Sequence, residues 1–404
     1  MSLTRYADHA ARWAVIALGF SIPISVALDN TLLVLILAGW LAGGMYREKL
    51  LVIRGNPVAI AALVLFGLLL IGVTYSRGAI GEAMHYLGKY SDLLFIPIFL
   101  FLFRDSATRH RALYSLAGSL AVVLALSYLL KTGVMPENAL MIGDSGYPVV
   151  FKLHLTHNIL IAYAAFLYAW LAFSSQSAKA RWGWVALSVL AVVNVTLMVH
   201  GATGYLVLFT LALVLGFDRG HWRGLGIAVL GLAALVIALS IIPGPFQERA
   251  SLIFKEARGW EPDRPADTSS GFRLEFYRNT LDIIADHPII GVGTGGLPQA
   301  YADKIRGSGK AETRNPHNEF LHITAQIGVI GLAVLLALFY LQWRHAARLL
   351  CPLHGGLARG LVLTMVIGCM LNSLLLDHTE GLLYAWLTGL LYAGLKSDGV
   401  GSGK

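Results

Sequence analysis

Two groups of residues carry side chains suited to acid–base and anion chemistry. Arg314-Asn315-Pro316-His317-Asn318-Glu319-Phe320 sets an imidazole three residues after a guanidinium, where a polar stretch enters an apolar one. Pro316 biases Asn315 away from helix and itself fits a first helical turn. His317 then lies at a helix start, whose positive end disfavours imidazolium and keeps the ring neutral as a base. The same position also suits a purely local capping or packing role. Upstream, Phe272, Phe276, Leu281 and Ile284 predict a helix with one buried stripe, ended by Asp286-His287-Pro288. That helix carries Arg273 and Arg278. Arg278 has ready partners in Asp282 and Glu275, whereas Arg273 has no acid at i+4. Together with Arg314 they form a cationic cluster. Guanidinium forks suit phosphate oxygens, and charge-assisted hydrogen bonds contribute about 1.5–3 kcal/mol each.

Between these groups runs Ile289-Ile290-Gly291-Val292-Gly293-Thr294-Gly295-Gly296. Such glycine density can cradle phosphate through backbone N–H groups. No strand precedes it and no Gly-Lys-Ser/Thr follows, so a tight turn against a membrane helix fits better. Further polar groups recur near the ends of apolar runs: Arg77 in Tyr75-Ser76-Arg77, Lys89, His154 and His157, His200, and Asp377-His378-Thr379-Glu380. Ionisable residues at membrane depth are paired or functional. Lys89 with Asp92, or either with Asp377, makes an equally good structural pair. His154, His157, Asp377 and His378 lack a metal-ligand spacing, and no metal or other cofactor is expected.

The elements that must position these residues follow from composition. The chain has 404 residues, 56% hydrophobic and only 13% charged, against roughly 25% charged in a soluble domain. With a mean hydropathy of +0.66, a soluble enzyme and a disordered chain are excluded. A membrane helix needs about 20 mainly apolar residues. About twelve such runs start near Trp13, Asn30, Pro57, Tyr86, Ala112, Phe151, Trp182, Thr203, Gly224, Phe320, Gly356 and Glu380. The first is read as a retained span, because no small-residue cleavage site follows it. Alternate loops gather the cations on one side, among them Arg5, Arg47, Arg104, Arg219, Arg344, Lys396 and Lys404. The positive-inside rule places both termini in the cytoplasm. The net charge of +8 then reflects topology and anionic lipid, not a nucleic-acid partner. Cys351 and Cys369 cannot build a disulfide framework. The expected division is 1–242 with nine spans, 243–319 as an external loop domain holding the motifs, 320–398 with three spans, and 399–404 as a tail without a role. Loops as long as 243–319 are uncommon without function.

The ordered set Gly271-Phe-Arg-Leu-Glu-Phe-Tyr-Arg, Asp-His-Pro-Ile-Ile-Gly-Val-Gly, His317-Asn-Glu-Phe-Leu and Gly328-Val-Ile-Gly331 resembles the O-antigen ligase superfamily. Lys89-Tyr90 with Leu93-Leu94-Phe95-Ile96-Pro97, and Asp377-His378-Thr379-Glu380, are most similar to the lipopolysaccharide ligases within it. The resemblance implies an all-α polytopic protein of the bacterial inner membrane, with twelve transmembrane helices. It also implies a GT-C-like glycosyltransferase whose helical periplasmic loop domain lies between spans 9 and 10. The implied reaction is metal-independent and needs no cofactor. It moves O-antigen from undecaprenyl diphosphate to lipid A–core, with membrane lipid as surroundings and no nucleic-acid partner. By position, His317 matches the family's essential histidine and Arg273 its loop arginine. Arg314, Arg278, Arg77, Lys89, Asn318, Asp377 and His200 are the expected substrate-binding residues.

One position departs from the pattern. Where family members carry Arg at the external end of the eighth span, His200-Gly201-Ala202-Thr203-Gly204 has Ala202. Arg77, Arg314 or His200 is expected to substitute, unless the alanine is a defect. An O-antigen polymerase or a protein O-oligosaccharyltransferase would use the same donor with another acceptor. A lipid-linked sugar transporter is the alternative from another class, although its polar residues should gather at the bilayer midplane.

Overall fold

A computed structural model describes residues 3–135, 142–241, 244–262, 264–349 and 351–395. Pro243, Lys396, Lys404 and the 399–404 tail lie outside the described residues. Helices are the only regular elements among them. They run in order as α1 Leu3–Ser21, α2 Val26–Ala42, α3 Tyr46–Arg54, α4 Pro57–Val73, α5 Ile80–Lys89, α6 Asp92–Leu102, α7 Ser106–Lys131 and α8 His154–Ser174. These are followed by α9 Ala178–Val193, α10 Ala202–Ile241, α11 Pro245–Gly259, α12 Ser269–Asp286, α13 Leu297–Ile305, α14 Glu319–Ala346, α15 Pro352–Leu371 and α16 His378–Tyr392. Side-chain caps open several of them. The Asn56 oxygen accepts from the amides of Val58 and Ala59 ahead of Pro57, Thr268 from Gly271, and Asn318 from Leu321.

The protein is an all-α polytopic membrane protein. Six helices are long and apolar enough to cross a membrane, or seven if α2 and α3, bent by 112°, form one broken span. Twelve spans are not reached by this measure, for identifiable reasons. α4 and α16 have only 17 and 15 residues, and the run beginning near Tyr86 is broken at Tyr90–Ser91 into α5 and α6. α10 counts once although it reverses. His221 takes φ 47° inside it, and a β-carbon on Gly216 would meet Gly224 and Ala228, residues that a straight helix sets about 12–18 Å away.

α8 and α16 sit at the centre of the bundle, buried along nearly their whole lengths. His157 of α8 is paired in the core: its Nε2 lies 3.1 Å from Asn194 Oδ1, and Asn194 Nδ2 donates to Ser127 Oγ at 2.8 Å. Asn194 opens a π-helical turn, Asn194–Met198, that ends α9. Beyond it, Gly201 and Gly204 have no β-carbon because the Asn158 side chain of α8 occupies that space.

The motif glycines form one joint. α14 is broken at Ile327 and Gly328, the latter at φ 66°, and the glycine run docks into the break. The amides of Val292 and Gly293 donate to the carbonyls of Ala325 and Gln326, and the Val329 amide donates to the Pro288 carbonyl. The Gly295 amide donates to Gln326 Oε1 at 2.9 Å. Thr294 anchors the run on α4, its amide donating to the Gly72 carbonyl and its hydroxyl to that of Leu69. Polar backbone freed by a helix break at membrane depth must be satisfied by neighbouring protein, and here the loop supplies the partners. A β-carbon on Gly328 would overlap the Ile289 carbonyl, one on Gly291 that of Ala325, and one on Gly293 the Ser76 backbone. Gly328→Ala should therefore cost about 1–3 kcal/mol through its positive φ alone and lower the unfolding temperature in detergent by several degrees. Gly118→Ala, where no atom lies within 4 Å of the added carbon, serves as the control and should leave it unchanged or slightly higher. Equal melting of both variants and the wild type would contradict the joint.

Candidate active site

α12 and the segment before α14 meet over a cavity of about 750 Å³ lined by Tyr147, His154, His200, Arg249, Ser269, Phe272, Arg273, Phe276, Ala311 and His317. His317 is built into it by local geometry. Its φ of 56° is left-handed, a conformation uncommon outside glycine. The Asn315 side chain holds it there, because Asn315 Oδ1 accepts from the His317 amide at 2.8 Å and from Ser373 Oγ at 2.7 Å. The Tyr277 hydroxyl lies within hydrogen-bond distance of the carbonyls of His317 and Met370. Phe276 stacks on the imidazole with ring centroids 6.3 Å apart. Backbone strain held by surrounding structure is common at functional sites.

Electrostatics favour a neutral imidazole. Burial depresses the His317 pKa below its ordinary 6.5 and the Arg273 charge depresses it further, with the Asn372 side chain opposing. Burial also pulls the Arg273 guanidinium below its usual range, Tyr277 opposes this, and the Arg249 charge adds to it. The Tyr147 hydroxyl is pushed up to about 12, mainly by burial.

The expected site residues divide into those in the cavity and those elsewhere. Arg273, His317 and His200 line it, and the His200 imidazole lies 3.2 Å from Glu248 Oε2. Arg314 does not join them. Its side chain is 82% exposed and its guanidinium points to Glu82 at 4.0 Å. Arg77 is exposed, 2.8 Å from His287 Nε2. Arg278 is exposed on α12, and Asn318 is used as the cap of α14, its amide donating to the Met370 carbonyl at 3.0 Å. Lys89 is exposed and Asp377 is half-buried, its pKa raised by burial against the Lys89 charge. Neither lines the cavity. Ala202 opens α10 two residues after His200.

The glycine run holds no phosphate cradle, since the amides of Gly291, Val292, Gly293, Thr294, Gly295 and Gly296 are each already donated within the protein. Among the described residues, no group of three or more His, Cys, Asp or Glu is placed to hold a metal ion.

Sequence reasoning missed Arg249, Tyr147 and Glu319. Arg249 lies in a stretch of mixed charge with Glu248 beside it, so only the fold of α11 against α12 reveals its place. Glu319 is fully buried, accepting from the Tyr90 hydroxyl at 2.8 Å and from the Leu375 amide at 3.0 Å. Its spacing from His317 was visible, but its role as a lock on the start of α14 was not.

An all-helical membrane bundle with a polar cap holding one basic cavity defines the class of this protein. Residues 188–336 match the family model described as O-antigen ligase, so over this segment the chain is similar to the O-antigen ligase superfamily. The matched range contains Ala202, Arg249, Arg273 and His317. No curated protein matches the chain.

The charge arrangement has a direct readout. In ¹³C-histidine NMR spectra His317 should titrate below 6.5, and Arg273→Gln should move that titration upward by removing a repulsive cation. A wild-type value at or above 6.5, or no movement in the variant, would contradict it.

Proposed function

We propose that this protein is a metal-independent, inverting glycosyltransferase that ligates O-antigen from undecaprenyl diphosphate onto lipid A–core. The reading places it in the bacterial inner membrane as a twelve-span, GT-C-like enzyme with both termini cytoplasmic and the cavity facing the periplasm. Support for the reaction class comes from the family match. The observation that carries the mechanism is that His317 and Arg273 share one cavity whose lining holds no carboxylate. That is the complement of an anionic leaving group.

In this mechanism an acceptor sugar hydroxyl attacks the anomeric carbon of the donor. The bond from that carbon to the phosphate oxygen breaks, and the diphosphate leaves with the electron pair. His317, kept neutral by its burial and by Arg273, takes the hydroxyl proton. Arg273 meets the charge that develops on the diphosphate, the kind of preorganised electrostatic stabilisation that is usually the largest catalytic contribution. Phe276 fixes the plane of the imidazole. Arg314, facing Glu82 outside the cavity, has no part in the chemical step.

His317→Ala should reduce transfer by about 10²–10⁴-fold while donor binding persists, and the new glycosidic bond should have inverted anomeric configuration. Because the base works unprotonated, activity should hold through neutral pH and fall only as pH drops below 6.5. Purified enzyme given donor with lipid A–core, donor alone, or a pilin-like protein identifies the acceptor. Transfer to lipid A–core alone is expected. Chain extension with donor alone, or protein glycosylation, would reassign the acceptor, and a trapped glycosyl-enzyme would overturn the single displacement.

A further inference from the structure

The cavity is more basic than one catalytic arginine requires. Two guanidinium groups, Arg249 from α11 and Arg273 from α12, and three imidazoles, His154, His200 and His317, line it together. Among the described residues, no carboxylate lies within ion-pair distance of either arginine. The adjacent acid, Glu248, turns to His200 at 3.2 Å. Like charges gathered in a partly buried space repel one another, so their placement there needs an anion between them to be favourable. A diphosphate esterified at both ends carries two negative charges near neutral pH, and two guanidinium groups balance it. Position 202, close in the chain to His200, has no charge to offer.

Building on the reading above, we propose that Arg249 is the second diphosphate-binding residue of this enzyme, supplying from α11 the cation that Ala202 leaves absent. α11 presents it to the cavity that His317 and Arg273 also line. Guanidinium–phosphate forks give bidentate contacts that a lysine replaces only in part.

Steady-state transfer to lipid A–core, with donor concentration varied, tests the proposal on the full-length enzyme in detergent or nanodiscs. Arg249→Ala should raise the donor KM by about 10- to 100-fold, and Arg249→Lys should recover part of the loss. Inorganic diphosphate should compete with donor on the wild type and compete much more weakly on Arg249→Ala. The decisive variant is the double one: Ala202→Arg added to Arg249→Ala should restore donor KM toward the wild-type value, because a long cationic side chain two residues after the cavity-lining His200 can reach the diphosphate. A disturbance of folding would not be repaired in this way. Wild-type donor KM in Arg249→Ala would overturn the proposal. So would a loss confined to kcat, or a loss that Ala202→Arg leaves untouched. Wild-type enzyme that transfers to none of the offered acceptors would instead sink the functional reading itself, so the two failures are separable.

Discussion

The structure depends on a broken helix and the loop that completes it. At Ile327–Gly328 α14 gives up regular hydrogen bonding, and the run from Pro288 to Gly296 returns it through backbone donors and acceptors. Each glycine in that joint permits an approach that a β-carbon would block. The loop follows α12 directly, so docking it on α14 and α4 fixes the whole helix. Arg273, fifteen residues before Pro288, is thereby held over the start of α14, where His317 waits. Glu319 performs the corresponding task from the other side, tying that start to Tyr90 and to the turn before α16.

Energetically, the site concentrates cost and lets the scaffold carry it. His317 keeps a left-handed backbone only because Asn315, Ser373 and Tyr277 define its surroundings. Its ring is half-buried beside a guanidinium, which makes protonation unfavourable. The same two features destabilise the empty protein and favour an anion with a nearby proton donor. Strain and like-charge crowding therefore point in one direction, toward a ligand that neutralises the cavity while offering a hydroxyl to the imidazole.

Much of this was legible in the sequence, with clear physical limits. Apolar runs announced the helices, because hydropathy registers composition along the chain. What it does not register is direction, so the reversal of α10 at His221 and the short central α16 emerge only in three dimensions. His317 and Arg273, singled out by type, spacing and family resemblance, line one cavity. Arg314 is near His317 in sequence yet outside the cavity, because nearness along the chain does not fix where a long side chain points. Arg314 faces Glu82 at 4.0 Å instead. The glycine run signals a close approach to a membrane helix, but nothing in its letters identifies the break in α14 as its partner. Arg249 was hidden by its acidic neighbour, since Glu248 cancels its charge in any local sum and yet points to a different residue.

The central claim is that the lipid-linked diphosphate sits between α11, α12 and the segment preceding α14. Photolabelling with an undecaprenyl diphosphate bearing a diazirine next to the phosphates, followed by peptide mapping, addresses it most directly. The account predicts labels on residues 245–259, 269–277 and 311–317. Labelling confined to the cleft where α10, α14 and α15 meet around Leu213, Trp343 and Arg359, with those three segments unmarked, would contradict it.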